Sequence, residues 1–498
     1  MHTEHQCDLV VLGGGGSGLV AAVRAASLSG KKVIVLEKAK RTGGGALFAS
    51  TMRTFQSQWQ KDRNLPDQTD AFLRRVMDET YWKLDPKLVS NCIKGTGQFF
   101  DWLCELVPGI GDQFRVGTYV FDGPNGQQGP QNGGQNNGGG RLVMETMLTK
   151  CVELGVEVLT QHRAVDVEVQ DGRITAVLAE SPDGPVRVAC KACVLATGSW
   201  ICNKAVVEQV CPAFNRAEVE RNPHSNPNYT GDGLPLAEKV GARLDRENFC
   251  LRVMGPMYNS KSMVLNGVAA SDYAISVNLN GKRFVSEPMV PRMDPFDTGH
   301  VLLQQPRALS YAIFDANTMA AAIDAARNAP PMPGPFGPPH YPEDEDSLRS
   351  DIAKAVDAHD GCAFQADTPE ELARQLDIDP EAFAETVRSY NEGCANGFDW
   401  DHFKPAHTLV PLNKGPYYAV KGLLSTDGAF GGVLVNPDMQ AYRAEGGLVE
   451  GLYVTGDFAS GRFISLGGVK RQVLNDISWA FSSGFLAGTN AAGYLNTL

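Results

Sequence analysis

The stretch from Asp8 to Glu37 constrains the fold more than any other. Asp8-Leu-Val-Val-Leu12 reads as a buried parallel strand, and Gly13, Gly15 and Gly18 stand at G-x-G-x-x-G spacing. Ala21, Ala22, Ala25 and Ala26 then favour a helix, and Lys32 to Leu36 is a second apolar strand ending on Glu37. Each position has a task in such a βαβ unit. Gly13 permits the tight turn, Gly15 lets backbone approach a pyrophosphate, and Gly18 lets the helix pack on the sheet. Gly16 and Ser17 complete the helix start, whose free N–H groups and positive dipole end suit phosphate. Glu37 is placed to accept hydrogen bonds from ribose hydroxyls. The unit specifies a dinucleotide and leaves FAD and NAD open.

A chain of 498 residues is long enough for two or three domains. The net charge of −12 argues against nucleic acid as a partner. No apolar run approaches a membrane span. The start, Met1-His-Thr-Glu-His-Gln-Cys7, has no basic n-region, apolar h-region or twin arginine, so the expected location is cytoplasmic. The 11 cysteines are odd in number and scattered, and are expected as reduced thiols. Cys190 and Cys193 form a C-x-x-C, but Cys193 lies in an apolar strand where small residues pack, and no metal is expected.

Gly43-Gly44-Gly45 and Ala49-Ser50-Thr51 offer backbone with little bulk, suited to close passage beside a flat cofactor. Gln68 to Leu106 is helical in pattern. Asp122 to Gly140 is a Gly/Asn/Gln tract that cannot build a core, and reads as a lid or an unstructured loop. A hairpin is expected around Asp171-Gly172, and a strand pair ends in Ala196-Thr197-Gly198. Gly231 and Gly233 start a helix running to about Val240. From about Cys250 the character changes, with a hairpin at Asn280-Gly281, a buried strand at Tyr311–Asp315 and a helical stretch from Thr368 to Gly393. The tail returns to α/β character. There Ser465-Leu466-Gly467-Gly468 is expected to start a long helix, Gln472 to Leu495, and to offer backbone amides to a cofactor. The expected domains are 1–250 joined with 406–498, and 251–405 inserted between them.

Together these motifs resemble the FAD-dependent fumarate reductase/succinate dehydrogenase flavoprotein superfamily, which also holds urocanate reductases and 3-ketosteroid dehydrogenases. The resemblance spans nearly the whole chain. It rests on the N-terminal glycine unit, Val194-Leu-Ala-Thr-Gly198, Thr230-Gly-Asp-Gly233, Val277-Asn-x-x-Gly-Lys-Arg-Phe-x-x-Glu287, Ile313-Phe-Asp315, Gly431-Gly432, Gly451-Leu-Tyr-x-x-Gly-Asp457 and Leu466-Gly-Gly468. It implies an α/β fold in which a Rossmann-like, GR2-type FAD-binding domain is interrupted by an α+β capping domain, with FAD bound non-covalently. Implied cofactor positions, besides the glycines and Glu37, are Lys38, Gly43 to Gly45, Ser50, Ala196, Thr197, Gly198 and Asp232. Ala164 and Val165 match the segment passing the adenine, Asp457 the acid that bonds the ribityl chain, and Ser465, Leu466, Gly467 and Gly468 the segment near the flavin ring.

Four positions that carry fumarate chemistry in the superfamily are replaced. The proton-donating arginine aligns with Met319, a histidine aligns near Gly428, a second arginine aligns with Ser465, and a further histidine has no counterpart in Ser271-Asp-Tyr-Ala274. Those residues clamp two carboxylates and protonate carbon, so fumarate and succinate are not expected substrates. The expected reaction is reduction of an electron-poor C=C bond by hydride from flavin N5. A proton would come from Tyr273, or from Arg292 through Glu287, and Arg462 would polarise a carbonyl or bind a single carboxylate. Plainer readings stand beside these: Tyr273 as a packed cap residue, Glu287 with Arg292 as an ion pair, Arg462 as a packing cation. Dehydrogenation of a saturated ketone uses the same geometry, and a degenerate FAD-binding subunit also stays open. The expected substrate is uncharged or monoanionic, aromatic and steroid-like molecules included. A separate electron donor or acceptor protein is expected, since the sequence carries no recognisable haem motif, FMN-attachment domain or NAD(P) domain.

Overall fold

The computed structural model describes residues 3–49, 52–116, 130–132, 139–222, 226–287, 295–328, 341–461, 463–466, 469–472 and 476–498. Most of the 122–140 tract therefore lies outside the described residues. The chain divides into two compact units: residues 1–210, 225–251 and 428–498, and residues 211–224 with 252–427. Among the described residues no helix is long and apolar enough to cross a membrane.

In the first unit, Glu157–Thr160, Val33–Glu37, Leu9–Leu12, Ala192–Leu195 and Leu448–Val454 lie side by side as a parallel sheet, with Gln440–Tyr442 antiparallel at one edge. The chain builds outward from Leu9–Leu12 on one side, then returns to add Ala192–Leu195 on the other. Such a reversal opens a crevice at the carboxyl ends of the strands. Every residue of Leu9–Leu12 and Ala192–Leu195 is buried, as expected for strands covered on both faces. Helix Gly16–Ser29 packs against the last helix, Asp476–Leu495, along a seam of small residues. A Cβ on Gly484 would stand 2.4 Å from Ser17 O, and one on Gly488 2.5 Å from Ala21 O. Helix Pro86–Leu106 also packs on the last helix, stacking Phe99 on Phe481 at 5.0 Å. The helical stretch read from Gln68 to Leu106 is two helices, Thr69–Glu79 and Pro86–Leu106, because Asp85 and Pro86 start the second one afresh. A separate sheet of Arg163–Gln170, Arg173–Ser181, Gly184–Ala189 and Thr3–Gln6 turns at Asp171 and Gly172, with φ of 51° and 72°. Positive φ at both positions is what a tight hairpin turn demands.

The second unit is built on the long strand Tyr417–Phe430. Ser310–Asp315 and Ala363–Ala366 pair with it antiparallel, and Ile275–Asn278 pairs with Ser310–Asp315. Strand alternation sends Tyr311 and Ile313 into one core and Ala312 and Phe314 into another. Helices Pro369–Gln375 and Pro380–Asn396 bring Leu372, Phe383 and Val387 to the first core. Met263–Ala269, Ala316–Asn328 and Glu345–Val356 bring Val264, Ile323 and Ile352 to the second. Because most of Tyr417–Phe430 is central to this sheet, the second unit runs on to residue 427, beyond the boundary at 405 read from the sequence.

Candidate cofactor site and the buried cluster of the second unit

The register of the parallel sheet aligns Leu36, Leu12, Leu195 and Val454, so Glu37, Gly13, Ala196 and Thr455 follow along one edge. Two of the glycines there are fixed by close approach. Gly13 has φ +112°, and a Cβ on it would stand 2.3 Å from Ala196 O; a Cβ on Gly18 would stand 1.9 Å from Gly13 O. Gly15 is different, because among the described residues nothing lies within 4 Å of where its Cβ would be. The loop at Gly43 docks on this turn, with Gly43 N donating to Gly14 O at 2.7 Å, and Gly44 sits 3.4 Å over Gly15 by the same Cβ measure. Gly16 packs against Ala46, and Ser17 is buried beneath Gly456, next to Asp457. Gly45 and Gly198 both face the ring of Tyr229, a residue the sequence did not single out.

The acids of this edge are held in two ways. Glu37 accepts from Gly14 N at 2.8 Å on one oxygen and from Ala39 N at 2.7 Å on the other. A carboxylate accepts about four hydrogen bonds, so each oxygen keeps capacity for a hydroxyl donor. Lys38 and Asp232 instead pair with each other at 2.8 Å, and Arg163 reaches the second Asp232 oxygen at 2.9 Å. Burial alone would raise the Asp232 carboxyl; the hydrogen bonds from Arg163 and Lys38, with the Lys38 charge, override it and hold it at about 2. Ala164 and Val165 lie in the strand Arg163–Gln170, with Val165 40% exposed.

Whether this edge suits FAD can be judged from polar atoms left without partners. Buried Thr197 Oγ1 and Ser199 Oγ, either side of Gly198 with φ +71°, have no hydrogen-bond partner among the described residues. Buried hydroxyls normally find one. Together with the open space at Gly15 and the spare capacity of Glu37, they fit a ligand rich in phosphate and hydroxyl groups.

The expected helix start at Ser465-Leu466 is corrected. Phe463–Leu466 and Val469–Gln472 pair as antiparallel strands, Ser465 opposite Lys470, and the last helix begins only at Asp476. Phe463, Ile464 and Val469 are residues that favour a pleated strand, which outweighs the glycine signal. Ser50, Arg292, Arg462, Gly467 and Gly468 lie outside the described residues. At Cys190 and Cys193 the thiols are buried, and burial pushes both well up; Cys193 occupies a core strand position.

In the second unit Glu287 is 3% exposed. It accepts from Ser276 N at 2.7 Å and is gripped by Arg283, whose Nη2 stands 2.6 Å from Oε2. The same nitrogen reaches Asp399 Oδ2 at 2.9 Å. Lys404, its side chain fully buried, has Nζ 3.9 Å from Glu287 Oε2 and donates to Ala274 O at 2.7 Å. Two cations thus face two carboxylates, a neutral sum that makes such burial tolerable. Arg283 lies within the Val277–Glu287 motif, where its sequence position alone suggests no role, and Asp399 and Lys404 gave no local signal, since each is one charge in an irregular segment. Tyr273 is partly buried against the core cluster of Val264 and Phe314, and so is Met319.

The family described as FAD binding domain matches residues 8–469. The chain is 28% identical over 98% of its length to a fumarate reductase (cytochrome) of Shewanella frigidimarina, covering 77% of that protein. It is 25% identical over 98% of its length to a vinyl phenol reductase of Lactiplantibacillus plantarum, covering 96% of it. Among solved structures, the open conformation of a flavocytochrome c3 fumarate reductase superposes with a TM-score of 0.72 at 21% identity, over 99% of this chain and 79% of the other. A 3-ketosteroid-Δ4-(5α)-dehydrogenase from Rhodococcus jostii RHA1 superposes with a TM-score of 0.68 at 21% identity, over 99% of this chain and 98% of the other. A glycine-lined sheet edge with unmet hydroxyls, carried on a chain matched almost end to end, has one reading: the chain belongs to the FAD-binding family of the fumarate reductase/succinate dehydrogenase flavoprotein superfamily, and is an FAD-dependent oxidoreductase acting on CH–CH groups.

Proposed function

We propose that this chain reduces the activated C=C bond of an enone or unsaturated monoacid other than fumarate, using electrons from a separate donor protein. The observation that supports this most is Met319. The superfamily's proton-donating arginine aligns there, and here a methionine packs against the Val264–Phe314 cluster. Arg283 and Lys404 are committed to Glu287 and Asp399, and cannot also neutralise a second substrate carboxylate. A dianion would keep charge uncompensated after desolvation, whereas an enone or monoacid would not.

FAD, when bound and reduced, supplies the hydride. The residues that would hold it are Gly13 to Gly18 at the pyrophosphate, Glu37 at the adenosine ribose, Ala164 and Val165 along the adenine, and Asp457 at the ribityl chain. Thr197, Gly198 and Gly43 to Gly45 would line its path, and Lys38 with Asp232 would fix the edge by holding each other. In the second unit, Arg283 and the Ser276 N–H keep Glu287 in place. Tyr273 delivers a proton to the α carbon, Glu287 with Arg292 conducts protons inward, and Arg462 steadies the developing enolate.

Anaerobic reduction by a reduced viologen, followed by enones, cinnamate-like acids and ketosteroids, reads the reaction as flavin reoxidation. Reoxidation with release of a saturated product supports the proposal. Bleaching of the oxidised protein by a saturated ketone, with no reoxidation by its enone, would make it a dehydrogenase instead. Neither reaction at full FAD loading would mark a non-catalytic subunit. Tyr273→Phe tests the acid separately: unchanged turnover removes Tyr273 from the site.

A further inference from the structure

Lys404 is a buried ammonium with no part in the reaction as laid out above. It sits at the end of the segment Phe398-Asp-Trp-Asp-His-Phe-Lys404, in which Phe398, Trp400 and Phe403 are exposed while Asp399 and Lys404 are 3% exposed. One N–H of the ammonium bonds the Ala274 carbonyl at 2.7 Å. That carbonyl belongs to the residue next to Tyr273. A second direction faces Glu287 Oε2 at 3.9 Å, and a third the ring of Tyr390, with Nζ 5.4 Å from its centroid. The ammonium thus makes one hydrogen bond, one ion-pair contact and one cation–π contact.

Charge bookkeeping shows why this second cation matters. Arg283 is shared between Glu287 and Asp399, so by itself it would leave the pair of carboxylates one charge short. Lys404 supplies the missing charge while also donating to the Ala274 carbonyl, one residue on from Tyr273. A merely structural fold could close this gap with a methionine and one fewer carboxylate, often at no loss of stability.

We propose that Lys404 is a positioning residue for the reaction, its protonated ammonium holding the Glu287 carboxylate and the Ala274 carbonyl, one residue on from Tyr273, in the geometry that handles the substrate's proton. The inference rests on the function proposed above. No bond to Lys404 is made or broken; the residue acts through Glu287 and Tyr273. Burial, with the Arg283 charge and against that of Glu287, lowers its ammonium to about 8, so turnover should fall as pH rises through that value. The groups facing it are Glu287 and Arg283 after the Ile275–Asn278 strand, Asp272 before it, Tyr390 and Cys394 on helix Pro380–Asn396, and Asp399 and His402 in the segment leading to it. Burial pushes the Tyr390 phenol and the Cys394 thiol up and the His402 imidazole down, so each of these stays neutral near pH 8.

The experiment compares wild type, Lys404→Arg and Lys404→Met holoenzymes, with FAD content and thermal melting as checks on folding. It measures kcat and KM for a C=C substrate identified by reoxidation, across the alkaline range. Wild type should lose kcat about tenfold per unit above the limb, because each unit of pH removes that share of the ammonium form. Lys404→Arg, charged at every working pH, should abolish the limb while keeping kcat within about threefold. Lys404→Met should lower kcat by about a hundredfold with KM little changed. An identical alkaline limb in wild type and Lys404→Arg overturns the proposal, as does a Lys404→Met enzyme of undiminished kcat. If Lys404→Met does not fold, the limb in Lys404→Arg decides alone. Wild type with no turnover on any C=C substrate defeats the functional reading itself, and this inference falls with it; turnover in wild type with a failed limb test defeats only the inference.

Discussion

Glu37 in the first unit and Glu287 in the second are both carboxylates bonded to backbone N–H groups, and they are completed in opposite ways. Glu37 accepts from Gly14 N and Ala39 N, and among the described residues no cation pairs with it. Glu287 accepts from Ser276 N, is gripped by Arg283 and faces Lys404. The neighbours follow suit. Among the described residues Thr197 and Ser199 leave buried hydroxyls unmet beside Gly198, while Arg283, Asp399 and Lys404 close a neutral network around Glu287. The first unit is shaped around groups the chain does not itself supply, as a cofactor site must be. In the second, Arg283 and Lys404 are taken up by Glu287 and Asp399, which withdraws these two cations from a strongly charged substrate. On the function proposed above, the substrate is set by which charges of the second unit are left unpaired.

The largest effect that would sharpen this contrast lies at the glycines. In Gly18→Ala the new Cβ would meet the backbone oxygen of Gly13, which no rotamer change relieves. The expected cost is about 4 kcal/mol or more, seen as loss of folded, FAD-loaded protein. Gly15→Ala meets nothing within 4 Å, so its melting temperature as apoprotein should match wild type while its Kd for FAD rises at least tenfold, about 1.4 kcal/mol. Equal FAD affinity in Gly15→Ala would break the claim that the space at Gly15 serves a ligand.

Next comes the closed network. Arg283→Met leaves Glu287 and Asp399 buried against Lys404 alone, and should destabilise the protein by about 3 kcal/mol in denaturant unfolding. The partner change Arg283→Met with Glu287→Met removes one charge of each sign and should recover part of that loss. If the double variant is no better than the single one, the cluster is not a charge-balanced set.

A smaller effect belongs to Asp232. Its carboxyl is held at about 2 against an ordinary 3.8, so it contributes stability that is complete above the unfolded value and is lost as pH falls through about 2. That amounts to about 2 kcal/mol. Asp232→Asn should lose a similar amount at neutral pH and flatten the acid limb of the stability profile. An unaltered acid limb would show that Lys38 and Arg163 do not rely on it.

Much of the first unit was legible because local signals and tertiary demands coincide there. The Leu9–Leu12 strand, the glycine turn, the alanine-rich helix and the Asp171-Gly172 hairpin each need only neighbours in sequence to specify them. The second unit's cluster was not, because Arg283 lies more than a hundred residues from Asp399 and Lys404 in sequence, and only the tertiary fold brings them together. The glycine pair after Leu466 misled for a related reason. Glycines suit a helix start and other conformations alike, and the strand-forming residues of Phe463–Leu466 and Val469–Gln472 favour strands on either side of them.

The most direct test of the central claim is the ratio of second-order rate constants for reoxidation of the anaerobically reduced protein by a neutral enone and by fumarate, under the same conditions. A second unit whose Arg283 and Lys404 are committed to Glu287 and Asp399 predicts a ratio of at least about a hundred in favour of the best enone. A ratio at or below one would show that the dicarboxylate is accommodated after all, and would contradict the account.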